Sequence, residues 1–149
     1  MLMKPVEGAE LEKLRLALSG SGLPFDDVGQ PGQQFFRFEL DGDWIAYGGL
    51  EGEGPDRLLR SMVVADSRRG QGIGTRMLAA LERYACGHNV LALHLLTNSA
   101  ADFFSAHGYS RLDRCAAPDS ISQTAQFSTL CGSSAIYLCK TLSASDWHR

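Results

Sequence analysis

The 149-residue chain has little that would draw it to nucleic acid, membrane or metal. Its 14 lysines and arginines are outnumbered by 17 aspartates and glutamates, for a net charge of −3. With a pI near 5.7 there is no broad basic face for a polyanion or an anionic bilayer. No apolar run approaches the ~20 residues of a membrane span, and the start, Met1 to Pro5, has no signal-peptide hydrophobic stretch. These absences lead us to expect a cytoplasmic protein with neither nucleic acid nor membrane as partner. The four cysteines, Cys86, Cys115, Cys131 and Cys139, form no CxxC pair, and no histidine stands at zinc-finger spacing, so neither a structural zinc nor a redox motif is supported. In a reducing cytosol they are expected as thiols, mostly small apolar packers. There is no internal repeat and no low-complexity segment. A chain of this length, 44% hydrophobic, can bury one substantial core but not two catalytic domains, so residues 1–149 are read as a single α/β domain.

What is present has a clear order. Leu11, Leu14 and Leu18 fall at helical spacing between Glu10 and Ser19, and the run Gly20-Ser-Gly-Leu-Pro24 stops that helix. Asp26 to Gln34 is polar, broken by two glycines and Pro31, and is left open between helix and loop; loops that cover substrates have this make-up. Gln34 to Leu40 and Trp44 to Leu50 are aromatic strands across Asp41-Gly42, a hairpin signature. Arg57 to Val64 is a third strand, and a helix from Gly72 to about Cys86 sets Met77, Leu78, Leu81 and Ala85 on one face. Val90 to Thr97 reads as a central strand covered on both faces. A short helix, Ala100 to Ala106, ends at Gly108, followed by a strand at Tyr109 to Asp113, a helix from Pro118 to about Phe127, and a last strand from Ser134 to Leu142.

The densest chemistry lies between the third strand and the helix after it. In Arg69-Gly-Gln-Gly-Ile-Gly74 the spacing Arg-x-x-Gly-x-Gly lets successive backbone N–H groups point at one anion, with the positive end of the next helix facing it. That is a cradle for a pyrophosphate, and it suits a nucleotide-tailed cofactor such as coenzyme A.

Strand, Arg-x-x-Gly-x-Gly, helix, strand, short helix and then Phe103-Phe104 before Gly108-Tyr109 is an order that resembles the GCN5-related N-acetyltransferase (GNAT) superfamily over nearly the whole chain. A finer resemblance, to the short acetyltransferases of arsenic-resistance operons, rests on Gly49-Leu-Glu51, Leu58-Leu-Arg-Ser61, Leu95-Leu-Thr97, Ala100 to Phe104, Asp113-Arg114, Thr124 to Phe127 and Leu130-Cys131. The resemblance implies an α+β fold: a mixed sheet of about six to seven strands flanked by helices and splayed between the Ser61–Val64 and Val90–Thr97 strands. It implies acetyl-CoA as co-substrate, with no metal and no covalent acyl-enzyme. Met62 and Val64 would face the pantetheine amides, and an N–H near Val63 or Val64 would polarise the thioester carbonyl as oxyanion donor. Arg69, Gly70, Gln71, Gly72, Ile73, Gly74 and Thr75 would hold the pyrophosphate. Arg68 and Arg76 are either near a 3′-phosphate or solvated charges.

The acceptor must attack as a free amine. Deprotonating a lysine-like amine at pH 7 costs roughly 4–5 kcal/mol, and an α-amino group about 1–1.5, so a base matters more for the first. Glu51, at the end of the Trp44 strand, is the candidate base, directly or through water, with Glu53 behind it; the plain alternative is a solvated loop glutamate. Many family members place a tyrosine four residues before the glycine of Gly-Tyr; here that cofactor-side position is Phe104, without a hydroxyl, so the usual acid does not carry over. Arg60 would clamp an acceptor carboxylate or make an ordinary salt bridge. His94 reads as a hydrogen-bonded core histidine and His107 as a helix cap. Cys115, Cys131 and Cys139 are core thiols or, since trivalent arsenic is soft, arsenic ligands.

The expected function is acetyl transfer from acetyl-CoA to a small-molecule amine, an amino-acid-like or arsenical toxin in an arsenic-resistance context. The alternatives are acetylation of a protein amine, or a non-catalytic acyl-CoA- or arsenic-binding module. The family resemblance also allows a homodimer through the C-terminal strand.

Overall fold

The computed structural model describes residues 1–130 and 134–143; Cys131 lies outside the described residues. The chain runs β1 (Leu2–Pro5), α1 (Glu10–Gly20), β2 (Gln33–Leu40), β3 (Asp43–Glu51), β4 (Asp56–Val64), α2 (Ile73–Gly87), β5 (Ala92–Thr97), α3 (Ala101–Ala106), β6 (Ser110–Leu112), α4 (Asp119–Ser122) and β7 (Ile136–Thr141), with a 3-10 turn at Asp66–Arg68. The seven strands follow the order β1-β2-β3-β4-β5-β7-β6. The sheet is mixed: β4 pairs β5 in parallel, whereas β1/β2, β2/β3, β5/β7 and β6/β7 are antiparallel. The chain gathers into two compact units that share β4, one of Met1–Glu51 with Leu59–Tyr84, the other of Gly52–Leu58 with the described residues from Ala85.

In the first unit the hairpin sets the register. Asp41 and Gly42 take φ of 52° and 83°, as a two-residue turn matching the twist of its strands requires. Alternation along the strands then assigns faces. Phe35 and Tyr47 join Leu14 and Leu18 of α1, Val6, Val28 and Val63 in one buried cluster. On the opposite face Phe36 meets Tyr84 of α2 edge-on at 4.9 Å. Gly48 leaves room there for Leu81 and Met77, since an added Cβ would lie 2.9 Å from Leu81 Cδ1. The expected α2 face, Met77, Leu78, Leu81 and Ala85, is buried.

In the second unit the β4/β5 ladder covers three pairs, Asp56↔Ala92 to Leu58↔His94. Leu58, Ile121, Phe127 and Tyr137 form its apolar cluster. His94 is a satisfied core histidine, as read from the sequence: Nε2 lies 2.7 Å from Asp56 Oδ1 and Nδ1 2.7 Å from the Tyr137 hydroxyl. Both ring nitrogens of His94 thus have hydrogen-bond partners. Burial, then the neighbouring Cys139, raises the Tyr137 phenol pKa and keeps it protonated. His107 closes α3, its Nδ1 2.8 Å from the Phe103 carbonyl, and Gly108 follows with φ 93°.

The structure adds one element and shortens another. The N-terminal strand β1 has no counterpart in the sequence reading: it is short and mostly exposed, held by pairing with β2 and by a Lys4–Glu39 ion pair of 2.9 Å. The helix expected from Pro118 to Phe127 stops at Ser122, and a π-helical turn, Gln126–Leu130, follows. Thr124 explains the break. Its hydroxyl donates to the Ile121 carbonyl at 2.7 Å and accepts from the Phe127 N–H at 3.4 Å, competing with the backbone ladder.

Candidate functional site

The glycine turn is built as its spacing requires. Gly70 and Gly72 both take left-handed φ, 78° and 75°, and a Cβ at either would meet nothing within 4 Å. Their requirement is therefore conformational: the turn needs angles that L side chains rarely adopt. The Arg76 N–H donates to the Gly72 carbonyl at 3.2 Å, so α2 begins at once, and the N–H groups of its first turn, at Ile73, Gly74 and Thr75, give that end its positive polarity. Arg69 keeps an exposed guanidinium whose ion pair is with exposed Asp66 at 3.2 Å, and an exposed pair holds little energy. Arg68 stands 3.5 Å from Asp43, and the Gln71 side chain donates to the Ser67 carbonyl at 3.4 Å. An exposed arginine, two open glycines and a fifteen-residue helix with its N-terminus in the turn form a donor set that fits a pyrophosphate.

Strand β4 leads into this turn through an irregularity. Ser61, buried, takes φ 62°, a left-handed residue within a strand. Beyond it Val63 is buried, with Met62 and Val64 half-buried on either side. The Ala65 N–H donates to the Ile45 carbonyl at 2.8 Å, which anchors the strand end to β3.

Just before left-handed Ser61 lies a group the sequence did not bring together. The Arg60 side chain is 0% exposed, with Asp27 and Glu51 nearly as covered. Its Nη1 donates to Asp27 Oδ2 and to Glu51 Oε1, both at 2.6 Å, and Nη2 to Asp27 Oδ1 at 2.7 Å. Nε donates to Ser61 Oγ at 3.1 Å, and the guanidinium stands 5.5 Å over the Phe35 ring. Gln33 Nε2 donates to the Asp27 carbonyl at 3.0 Å and reaches Glu51 Oε1 at 3.3 Å. Burial works against the charge on Arg60, but the hydrogen bonds and charges of Asp27 and then Glu51 outweigh it and raise its pKa. The fork that the sequence reading offers to an acceptor carboxylate is thus filled by the chain's own carboxylates.

Arg60, Glu51, Met62, Val63, Val64 and the turn Arg69 to Thr75 all belong to the first unit. Phe104 belongs to the second, where it packs edge-on against Tyr109 at 5.5 Å and Phe103 at 5.1 Å. Asp27 is the residue missed from sequence. It lies in the segment left open there, which proves to be a run of turns around buried Val28 up to Gly32, with Gln33 and Gln34 already in β2.

Residues 31–111 match the family model described as an acetyltransferase (GNAT) domain. No curated protein matches. Among solved structures, N-acetylglutamate synthase from Neisseria gonorrhoeae, complexed with coenzyme A and N-acetyl-glutamate, is similar with a TM-score of 0.78 at 15% identity over 95% of this chain and 35% of that one. The chain thus spans about a third of that protein's length. An acetyltransferase of the GNAT family from Staphylococcus aureus aligns with a TM-score of 0.72 at 16% identity, over 95% of this chain and 99% of its own. An aminoglycoside 6'-N-acetyltransferase complexed with coenzyme A gives 0.66 at 14%, over 95% and 97%.

Proposed function

The chain belongs to the acetyltransferase (GNAT) family, and on that premise we propose that it transfers the acetyl group of acetyl-CoA to the amine of a small molecule. The observation that carries the reading is the turn Arg69–Thr75, with two left-handed glycines running straight into α2. When bound, acetyl-CoA would supply an activated thioester: the amine forms the new C–N bond as the C–S bond breaks, and coenzyme A leaves as a thiolate that solvent protonates. The residues of this chain do the rest. The turn holds the pyrophosphate by backbone N–H groups and Arg69. The strand Met62–Val64 would offer its main chain to the pantetheine amides, and the Val64 N–H would serve as the donor to the carbonyl oxygen on which negative charge develops. Glu51, which can only accept when ionised, takes the amine proton directly or through water.

The preferred acceptor is amino-acid-like, an arsenical amino acid included. Its support is the resemblance to the short acetyltransferases of arsenic-resistance operons read in the sequence, together with a structural neighbour complexed with N-acetyl-glutamate.

The test is a melting curve with and without acetyl-CoA. A ligand at about 100 times its Kd stabilises by roughly 2.7 kcal/mol, about 5–10 °C for a chain of this size. A rise of that order, followed by thiol release across a panel of amines, supports the reading. No rise at saturating cofactor would refute it.

A further inference from the structure

Arg60 is an expensive residue to bury. An exposed ion pair contributes little, and a buried one loses so much hydration that apolar residues of similar volume often serve as well or better. Apolar packing is at hand here, because Phe35, Tyr47 and Val63 already form a cluster on this face. The guanidinium is instead held on every side: by Asp27, by Glu51, by the Ser61 hydroxyl and by the Phe35 ring. Among the described residues it is the one cation within 4 Å of either carboxylate.

Its place in the chain is informative. It directly precedes left-handed Ser61, and Met62, where the cofactor strand begins, comes next. The Ser61 hydroxyl accepts from Arg60 Nε, which tethers the guanidinium to the left-handed residue of the strand. The fork then reaches 33 residues back in sequence to Asp27 and 9 back to Glu51. Gln33 ties the far end of the same segment to both.

We propose that Arg60 is a positioning residue that ties Glu51 and the segment 26–34 to the cofactor strand, so that filling the strand Met62–Val64 orders the acceptor-side carboxylates. The inference rests on the reading that this strand receives acetyl-CoA. Fixing the main chain at Met62–Val64 removes freedom at Ser61, and through the Nε bond it removes freedom from the fork. An acceptor arriving second then meets a segment already ordered, which is cooperativity through lost motion.

The experiment is amide hydrogen exchange of the full chain, read at residues 26–34, with and without acetyl-CoA, in the parent and in Asp27→Asn. In the parent, acetyl-CoA is expected to slow exchange there by about fivefold or more, the lower end of ordinary coupling between sites. In Asp27→Asn that cofactor-dependent increment is expected to vanish, while the melting point still rises with acetyl-CoA as in the parent. Arg60→Lys, which keeps the charge without the two-pronged fork, should retain only part of the parent's increment. A merely structural ion pair predicts something else: faster exchange in Asp27→Asn with and without cofactor, and an unchanged increment. That result, or a parent that binds acetyl-CoA with no slowing at 26–34, overturns the inference and leaves the proposed function standing. A parent that binds no acetyl-CoA overturns both.

Discussion

Replacing Gly49 by alanine tests the packing beneath the site. The new Cβ would lie 2.6 Å from Phe35 Cδ1, 2.9 Å from Cε1 and 3.1 Å from the Gln34 carbonyl oxygen. Ordinary carbon contacts begin near 3.5 Å, so the ring must retreat by roughly 1 Å. It has nowhere to go: Phe35 is buried within the α1 cluster and the Arg60 guanidinium stands over it. Overpacking typically costs 1–3 kcal/mol, and the upper half applies because the clash is with a blocked ring and a backbone atom. Loss of glycine's freedom in the unfolded chain returns about 0.4–1 kcal/mol. The net is about 1–2.5 kcal/mol, or a Tm lowered by about 3–10 °C. Gly48→Ala is the control. Its nearest neighbour is the Leu81 methyl at 2.9 Å, the far end of a flexible side chain, with Met77 Sδ next at 3.5 Å, so the net cost should stay under about 1 kcal/mol. Thermal unfolding followed by circular dichroism measures both. A Gly49→Ala protein melting within about 1 °C of the parent, or less disturbed than Gly48→Ala, would refute the argument from faces and close approach.

Three further outcomes are expected. Arg60→Met should lower stability in urea by about 3 kcal/mol, because it strands two largely buried carboxylates; a loss below about 1 kcal/mol would mean that water already reaches them. Gly72→Ala should cost about 1–2 kcal/mol from its φ of 75° alone and shrink the acetyl-CoA-induced rise in Tm, whereas an undiminished rise would remove the turn from cofactor binding. Burial, then the Glu10 carboxylate that accepts its hydroxyl proton, pushes the Tyr47 pKa up to about 12. A raised acid pKa contributes stability that is fully present below the unfolded value near 10 and is lost as the pH rises toward 12. The chain should therefore lose up to about 2–3 kcal/mol across that window, and a Tyr47→Phe protein showing the same alkaline slope would contradict the assignment.

Features set by neighbours along the chain are legible in the amino-acid sequence. The hairpin turn needs only Asp41-Gly42, the anion turn only the spacing of its glycines, and α2 only the period of Met77, Leu78, Leu81 and Ala85, all buried. Features set by distant partners are not. Leu2 to Pro5 has no strand pattern of its own, and it becomes a strand because β2 offers an edge and Glu39 a counter-charge to Lys4. The periodicity from Pro118 to Phe127 is that of a helix, yet one threonine hydroxyl diverts the backbone. Arg60 reads as an acceptor clamp or an ordinary salt bridge, and the structure shows the salt bridge; nothing in the spacing of Glu51 and Arg60 could reveal that Asp27, 33 residues from Arg60, completes it.

The left-handed Ser61 also limits how β4 can vary. Side chains on a strand alternate, so a slip of one position turns each of them to the other face. Here Leu58 to Ser61 are buried in succession, and beyond the irregularity half-buried Met62 and Val64 flank buried Val63. Exchanges of one aliphatic for another at Met62 or Val64 would leave the main chain where it is. Loss or gain of a single residue between Leu58 and Arg60 would reverse the parity and carry the guanidinium of Arg60 away from Asp27 and Glu51. In this strand, length is held by geometry more strictly than letters are by chemistry, and deletion scanning should inactivate where substitution scanning does not.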